Sequence, residues 1–134
     1  GVGRGYYDLK TLRAMHEKMQ ILLSEHGGEI DFIAYCPHTP DDNCQCRKPL
    51  PGLINQIATH LNHDLSNAMF IGDAISDLRA AQAADIDFAL VKTGKGIRTL
   101  SDNTLPNDVF VYENLADYVD KLSDSSIKPT SYNP

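Results

Sequence analysis

Ala68-Met69-Phe70-Ile71-Gly72-Asp73-Ala74-Ile75-Ser76-Asp77-Leu78-Arg79-Ala80-Ala81 carries two patterns back to back. The apolar run 68–71 reads as a short buried strand. Gly72 lets the backbone turn sharply after it. Ser76 or Asp77 then opens a helix to about residue 84, rich in alanine and so able to pack closely. A carboxylate at the end of such a strand is a natural Mg²⁺ ligand. Mg²⁺ takes one or two protein carboxylates and completes its shell with waters and phosphate oxygens. Asp73 is the candidate. Asp77 either caps the helix or orients the site, and the sequence leaves both open.

Outward from this stretch the two periods keep alternating. Asp8 is a plausible N-cap for a helix over residues 9–26, with Leu12, Met15, Met19, Leu22 and Leu23 at helical spacing. Gly27-Gly28 stops it. Residues 30–35 read as a buried strand running to Cys36. Pro49 and Pro51 bracket a loop exit, and Pro51 fits the first turn of a helix over residues 52–61. Residues 88–91 and 108–112 read as strands, 93–96 as a loop, and 114–122 as a short helix. Residues 123–134 hold serines and prolines with little apolar content, which suggests a loose tail. Strands alternating with helices imply an α/β fold, a mainly parallel sheet with helices on both faces. Ligands bind at the carboxyl ends of strands in such folds.

At 134 residues the chain is one domain by length, with 42% hydrophobic and 22% charged residues. A net charge of −6 argues against a general nucleic-acid partner. It does not exclude an anionic small molecule, which local lysines and arginines could bind. No apolar run approaches the length of a membrane span.

All three cysteines sit in one loop, Cys36-Pro37-His38 followed by Cys44-Gln45-Cys46. A Cys-x-Cys pair is poor disulfide geometry, and an odd count does not make a secreted framework. Three thiols and an imidazole do make a complete tetrahedral Zn²⁺ set, closed and therefore structural. The plainer alternative leaves His38 as a surface residue and gives the metal to the cysteines alone. A reducing cytoplasm fits such a site. Arg47 and Lys48 leave the loop together. Arginine offers a planar fork to phosphate oxygens and lysine a compact point charge. They are either preorganised for an anion or a solvated basic pair. Gly94-Lys95-Gly96 is too short for a phosphate-binding glycine loop and reads as a turn.

Taken together, Cys36-Pro37-His38, Cys44-Gln45-Cys46-Arg47-Lys48-Pro49, Pro51-Gly52 and Gly72-Asp73 resemble the haloacid dehalogenase superfamily of phosphatases. Within it they look most like the heptose 1,7-bisphosphate and histidinol-phosphate phosphatases. The opening Gly1-Val2-Gly3-Arg4-Gly5 resembles the segment just after the family's second motif. The resemblance implies a three-layer Rossmann-like sheet whose first strand is missing, spanning residues 1–122 and followed by the tail. It implies a structural zinc on Cys36, His38, Cys44 and Cys46. It also implies a phosphate-contacting Lys48, a substrate-contacting Arg47 and a catalytic Mg²⁺ on Asp73. The family's nucleophile and general acid are an Asp-x-Asp pair on the first strand, which this reading places upstream of Gly1. The 134 residues alone are then expected to be inactive.

The implied reaction is Mg²⁺-dependent hydrolysis of a sugar phosphate. Heptose bisphosphate, a lipopolysaccharide-core precursor, is the first candidate. Histidinol phosphate and a non-catalytic zinc-bearing remnant that binds phosphate are the alternatives. The expected partner is a small phosphorylated metabolite, with no nucleic acid or membrane. The full-length protein is expected to be a cytoplasmic monomer.

Overall fold

The computed structural model describes residues 1–123; the rest of the expected tail, residues 124–134, lies outside the described residues. The chain forms two compact units. One holds residues 1–47 and 51–63; the other takes residues 48–50 and continues from Asp64.

In the first unit, α1 spans Leu9–Ser24 and starts where the sequence says it should. The Asp8 carboxylate accepts the Thr11 N–H at 2.7 Å, satisfying one of the helix's orphan donors. The apolar stripe behaves differently. Leu12 is buried, but Met15, Met19, Leu22 and Leu23 are exposed. Periodicity identifies an apolar face without saying what covers it. The second helix, α2, spans Gly52–Leu61 as expected and ends on Asn62 in the left-handed region at φ +48°.

Residues 30–35 are not a strand. They lead to Cys36 as irregular backbone and join no ladder among the described residues. The Gln20 side-chain amide stands in for a neighbouring strand at one position. Its Nε2 donates to Ile30 O and its Oε1 accepts from Ile30 N, both at 3.3 Å. A strand needs a partner backbone as well as an apolar run, and sequence pattern supplies only the run.

The second unit holds the sheet. Strands β1 (Met69–Gly72), β2 (Asp87–Val91) and β3 (Phe110–Tyr112) pair in parallel in the order β1-β2-β3. The register sets Gly72 against Leu90 and Val91 against Tyr112. Helices α3 (Ile75–Ala83), α4 (Gly96–Leu100) and α5 (Leu115–Ser123) connect and follow the strands. Alternation along β2 divides the core in two. Phe88 and Leu90 pack with Leu78 and Ala81 of α3, and with Val109. Ala89 and Val91 pack on the other face with Tyr112 and with Tyr118 of α5. The Tyr112 and Tyr118 rings meet edge to face, 5.1 Å between centroids. The expected parallel sheet with helices on both faces is therefore present. Its strands are nearly continuous apolar runs because both faces are covered. Helix α4 was not expected; glycines at its start disguise it as loop.

Candidate functional site

All carboxyl ends of the parallel strands lie at one edge of the sheet, so the turn after β1 and the turn after β2 are neighbours. Asp73 leaves β1 there. Asp77 sits in the first turn of α3 with its side chain 3% exposed. Its Oδ2 accepts the N–H groups of Asp73 and Ala74, each at 3.1 Å. Its Oδ1 pairs with the Lys48 ammonium. Asp77 thus does both things the sequence left open: it caps α3 and fixes Lys48. Gly72 is needed for a reason other than turning. A Cβ there would sit 2.5 Å from the Asp77 Cβ, so only glycine lets the buried carboxylate close over the strand end.

Asp73 is held from the next turn as well. Its Oδ2 accepts the Lys95 N–H at 2.8 Å and its carbonyl accepts the Thr99 hydroxyl at 2.8 Å. Asp73 Oδ1 accepts no hydrogen bond among the described residues. One free, oriented carboxylate oxygen is what a cation that keeps several waters and takes phosphate oxygens requires, so the donor set fits Mg²⁺. The Lys48 side chain is 48% exposed beside it. Its ammonium has three donors and spends one on Asp77, leaving others for an anion.

In the first unit the four expected zinc ligands converge. Their donor atoms lie within 4.8 Å of one another. Cys36 Sγ is 3.6 Å from Cys44 Sγ and 3.2 Å from Cys46 Sγ, and His38 Nδ1 is 3.2 Å from Cys46 Sγ. These separations are too long for a disulfide, whose sulfurs lie about 2.05 Å apart. They approach the edges of a tetrahedron about an ion with bonds of about 2.0–2.3 Å. His38 turns Nδ1 into the cluster, so all four residues could hold one ion. A turn of 3-10 helix over Pro40–Asp42, with Asn43 left-handed at φ +46°, folds Cys44 and Cys46 back onto Cys36 and His38. Burial pushes the Cys46 thiol up to about 12, with hydrogen bonds to Cys36 and Cys44 acting the same way. Without a cation this thiol holds its proton, and ion binding must displace it. Arg47 turns toward the same loop. Its Nη1 donates to the His38 carbonyl at 3.2 Å, while Lys48 turns to Asp77. The two basic side chains therefore have different partners.

A model of the HAD-hydrolase-like family matches residues 45–118, which takes in Lys48, Asp73, Asp77 and the whole sheet. The chain belongs to that family. A Pseudomonas aeruginosa protein named D-glycero-beta-D-manno-heptose-1,7-bisphosphate 7-phosphatase is 53% identical over 116 residues, covering 87% of this chain. The chain spans 65% of that relative's length. The crystal structure of the Bordetella bronchiseptica D,D-heptose 1,7-bisphosphate phosphatase, complexed with magnesium and phosphate, superposes with a TM-score of 0.86 at 44% identity. That match covers 92% of this chain and 69% of the other. The corresponding Burkholderia thailandensis structure gives 0.68 at 33% identity, covering 92% and 70%.

Sequence reading missed the Lys95 amide and Thr99. A backbone donor leaves no residue-type signal, and a threonine in an unexpected short helix looks like surface. It also left out one Asp-x-Asp string, Asp85-Ile86-Asp87. This is not the expected HAD nucleophile pair. Both aspartates are exposed; Asp85 precedes β2 and Asp87 opens it, at the amino end of a strand whose carboxyl end faces Asp73.

Proposed function

We propose that the protein is a Mg²⁺-dependent HAD phosphatase that removes the 7-phosphate of D-glycero-β-D-manno-heptose 1,7-bisphosphate, leaving the heptose 1-phosphate. The observation that carries the reaction class is the Lys48–Asp77–Asp73 arrangement at the carboxyl edge of the sheet. The relatives' names carry the substrate. Lys48, oriented by Asp77, neutralises phosphoryl charge as it builds up. Asp73 offers Oδ1 to Mg²⁺, which when bound screens the same phosphate. Arg47 contributes to choosing the substrate, and the zinc set holds the loop that carries it. The attacking carboxylate and the general acid belong to an Asp-x-Asp pair outside the 134 residues, and transfer passes through an aspartyl phosphate. The protein works in the cytoplasm on a small phosphorylated metabolite.

The test is phosphate release by the purified full-length protein from heptose 1,7-bisphosphate, heptose 7-phosphate and histidinol phosphate, with Mg²⁺. Preferred turnover of the bisphosphate is expected. Lys48→Ala should lower kcat about 10²- to 10³-fold, as loss of a charge-stabilising group does. Preference for histidinol phosphate would overturn the substrate, and full activity of Lys48→Ala would overturn the site.

A further inference from the structure

Two polar or charged residues are buried among the described residues, Asp77 and Thr99, and both bind Asp73. Asp77 takes its N–H and Thr99 its carbonyl. Thr99 is 6% exposed, next in the chain to Leu100, which packs on the core, and a valine of the same shape would fill that space. Burying a hydroxyl costs free energy unless it is hydrogen-bonded. Among the described residues the Thr99 hydroxyl donates to Asp73 O. The same short segment delivers the Lys95 N–H to Asp73 Oδ2. Gly94, left-handed at φ +62°, lies against that oxygen so closely that a Cβ would strike it. Asp73 is thus held at N, O and Oδ2, and only Oδ1 is left to face outward.

We propose that Thr99, together with the Lys95 amide, is a positioning element that fixes the Asp73 carboxylate for a divalent cation. This rests on the reading of Asp73 as the metal ligand. Thr99 fixes the peptide that follows Asp73, and the Lys95 amide fixes the rotation of the carboxylate. Together they remove the reorientation that binding would otherwise have to pay for. The segment reaches Asp73 only because β1 and β2 are adjacent and parallel, which sets their following turns side by side.

Mn²⁺ binding to the full-length protein, followed by loss of the free-ion electron paramagnetic signal, tests this without reference to turnover. Thr99→Val should weaken Mn²⁺ roughly three- to tenfold, the worth of one hydrogen bond. Thr99→Ser, which keeps the hydroxyl, should bind like the wild type. Asp73→Asn separates the two levels. If it binds Mn²⁺ as the wild type does, the metal-ligand reading falls. If it loses Mn²⁺ while Thr99→Val retains native affinity, the positioning proposal falls and the reading stands. Should Thr99→Val fail to fold, Gly94→Ala in the exposed turn presses on the same carboxylate from the other side. Weakened Mn²⁺ there supports the proposal and native affinity overturns it.

Discussion

The turn after β1 and the Cys36–Cys46 loop both hold polar side chains on irregular backbone, but they are secured in opposite ways. In the turn every restraint is internal. One buried carboxylate satisfies two N–H groups and a lysine, and a threonine and an amide from the next turn complete the set. In the loop the restraints are three thiols and an imidazole that make only weak contacts with one another. The first is prepared before any ligand arrives; the second is completed by its ion. Preorganisation by hydrogen bonds suits a site that binds and releases, and a closed metal set suits a loop that stays in place.

The largest effect expected from breaking this contrast is on the loop. Cys44→Ser should drop zinc content toward zero and open residues 36–46 to protease, because structural zinc supplies about 10 kcal/mol or more in small metal-folded units. Elemental analysis and limited proteolysis read both, and undiminished zinc in the variant would contradict the ligand set. The sheet unit should keep its packing. Next comes Asp77→Ala, which strands two N–H groups and Lys48. It should cost about 3 kcal/mol in urea unfolding, while Asp77→Asn costs less because an amide oxygen still accepts. Gly72→Ala follows, at about 1–3 kcal/mol, since the methyl group competes for space with the Asp77 side chain.

The smallest effect lies at Asp8, an exposed counterpart of Asp77. Its hydrogen bonds from Thr11 hold its pKa below the ordinary 3.8. A depressed folded-state value means that its contribution is present above about pH 3.8 and lost as the pH falls through the folded pKa. Helicity of α1 should therefore decline at acid pH, and in Asp8→Ala that part of the decline should vanish in circular dichroism. An unchanged acid profile would show that the cap does nothing.

Much of this was legible in the chain. Apolar runs at 68–71 and 88–91 placed β1 and β2 because both faces of a parallel strand are buried. The Cys and His spacing anticipated the convergence of the four donor atoms because few other arrangements satisfy those donors. Four things escaped. That residues 30–35 join no ladder among the described residues depends on what lies beside them. The exposure of Met15 and Leu22 likewise depends on coverage rather than on periodicity. The grip on Asp73 uses a main-chain amide and one threonine, and neither advertises itself. The contact between Lys48 and Asp77 spans 29 positions, beyond the reach of local pattern.

The parallel register also restricts how the chain can be lengthened. Between Val91 and Thr99 each residue is counted: Lys92 N still reaches Tyr112 O, Gly96 N returns to Thr93 O, and the Lys95 amide must arrive at Asp73. An added residue would shift that amide out of reach and turn a different side chain toward the carboxylate. Residues 101–108 send no hydrogen bond to Asp73, so an insertion there leaves that amide in place provided Leu105 keeps its seat on the core.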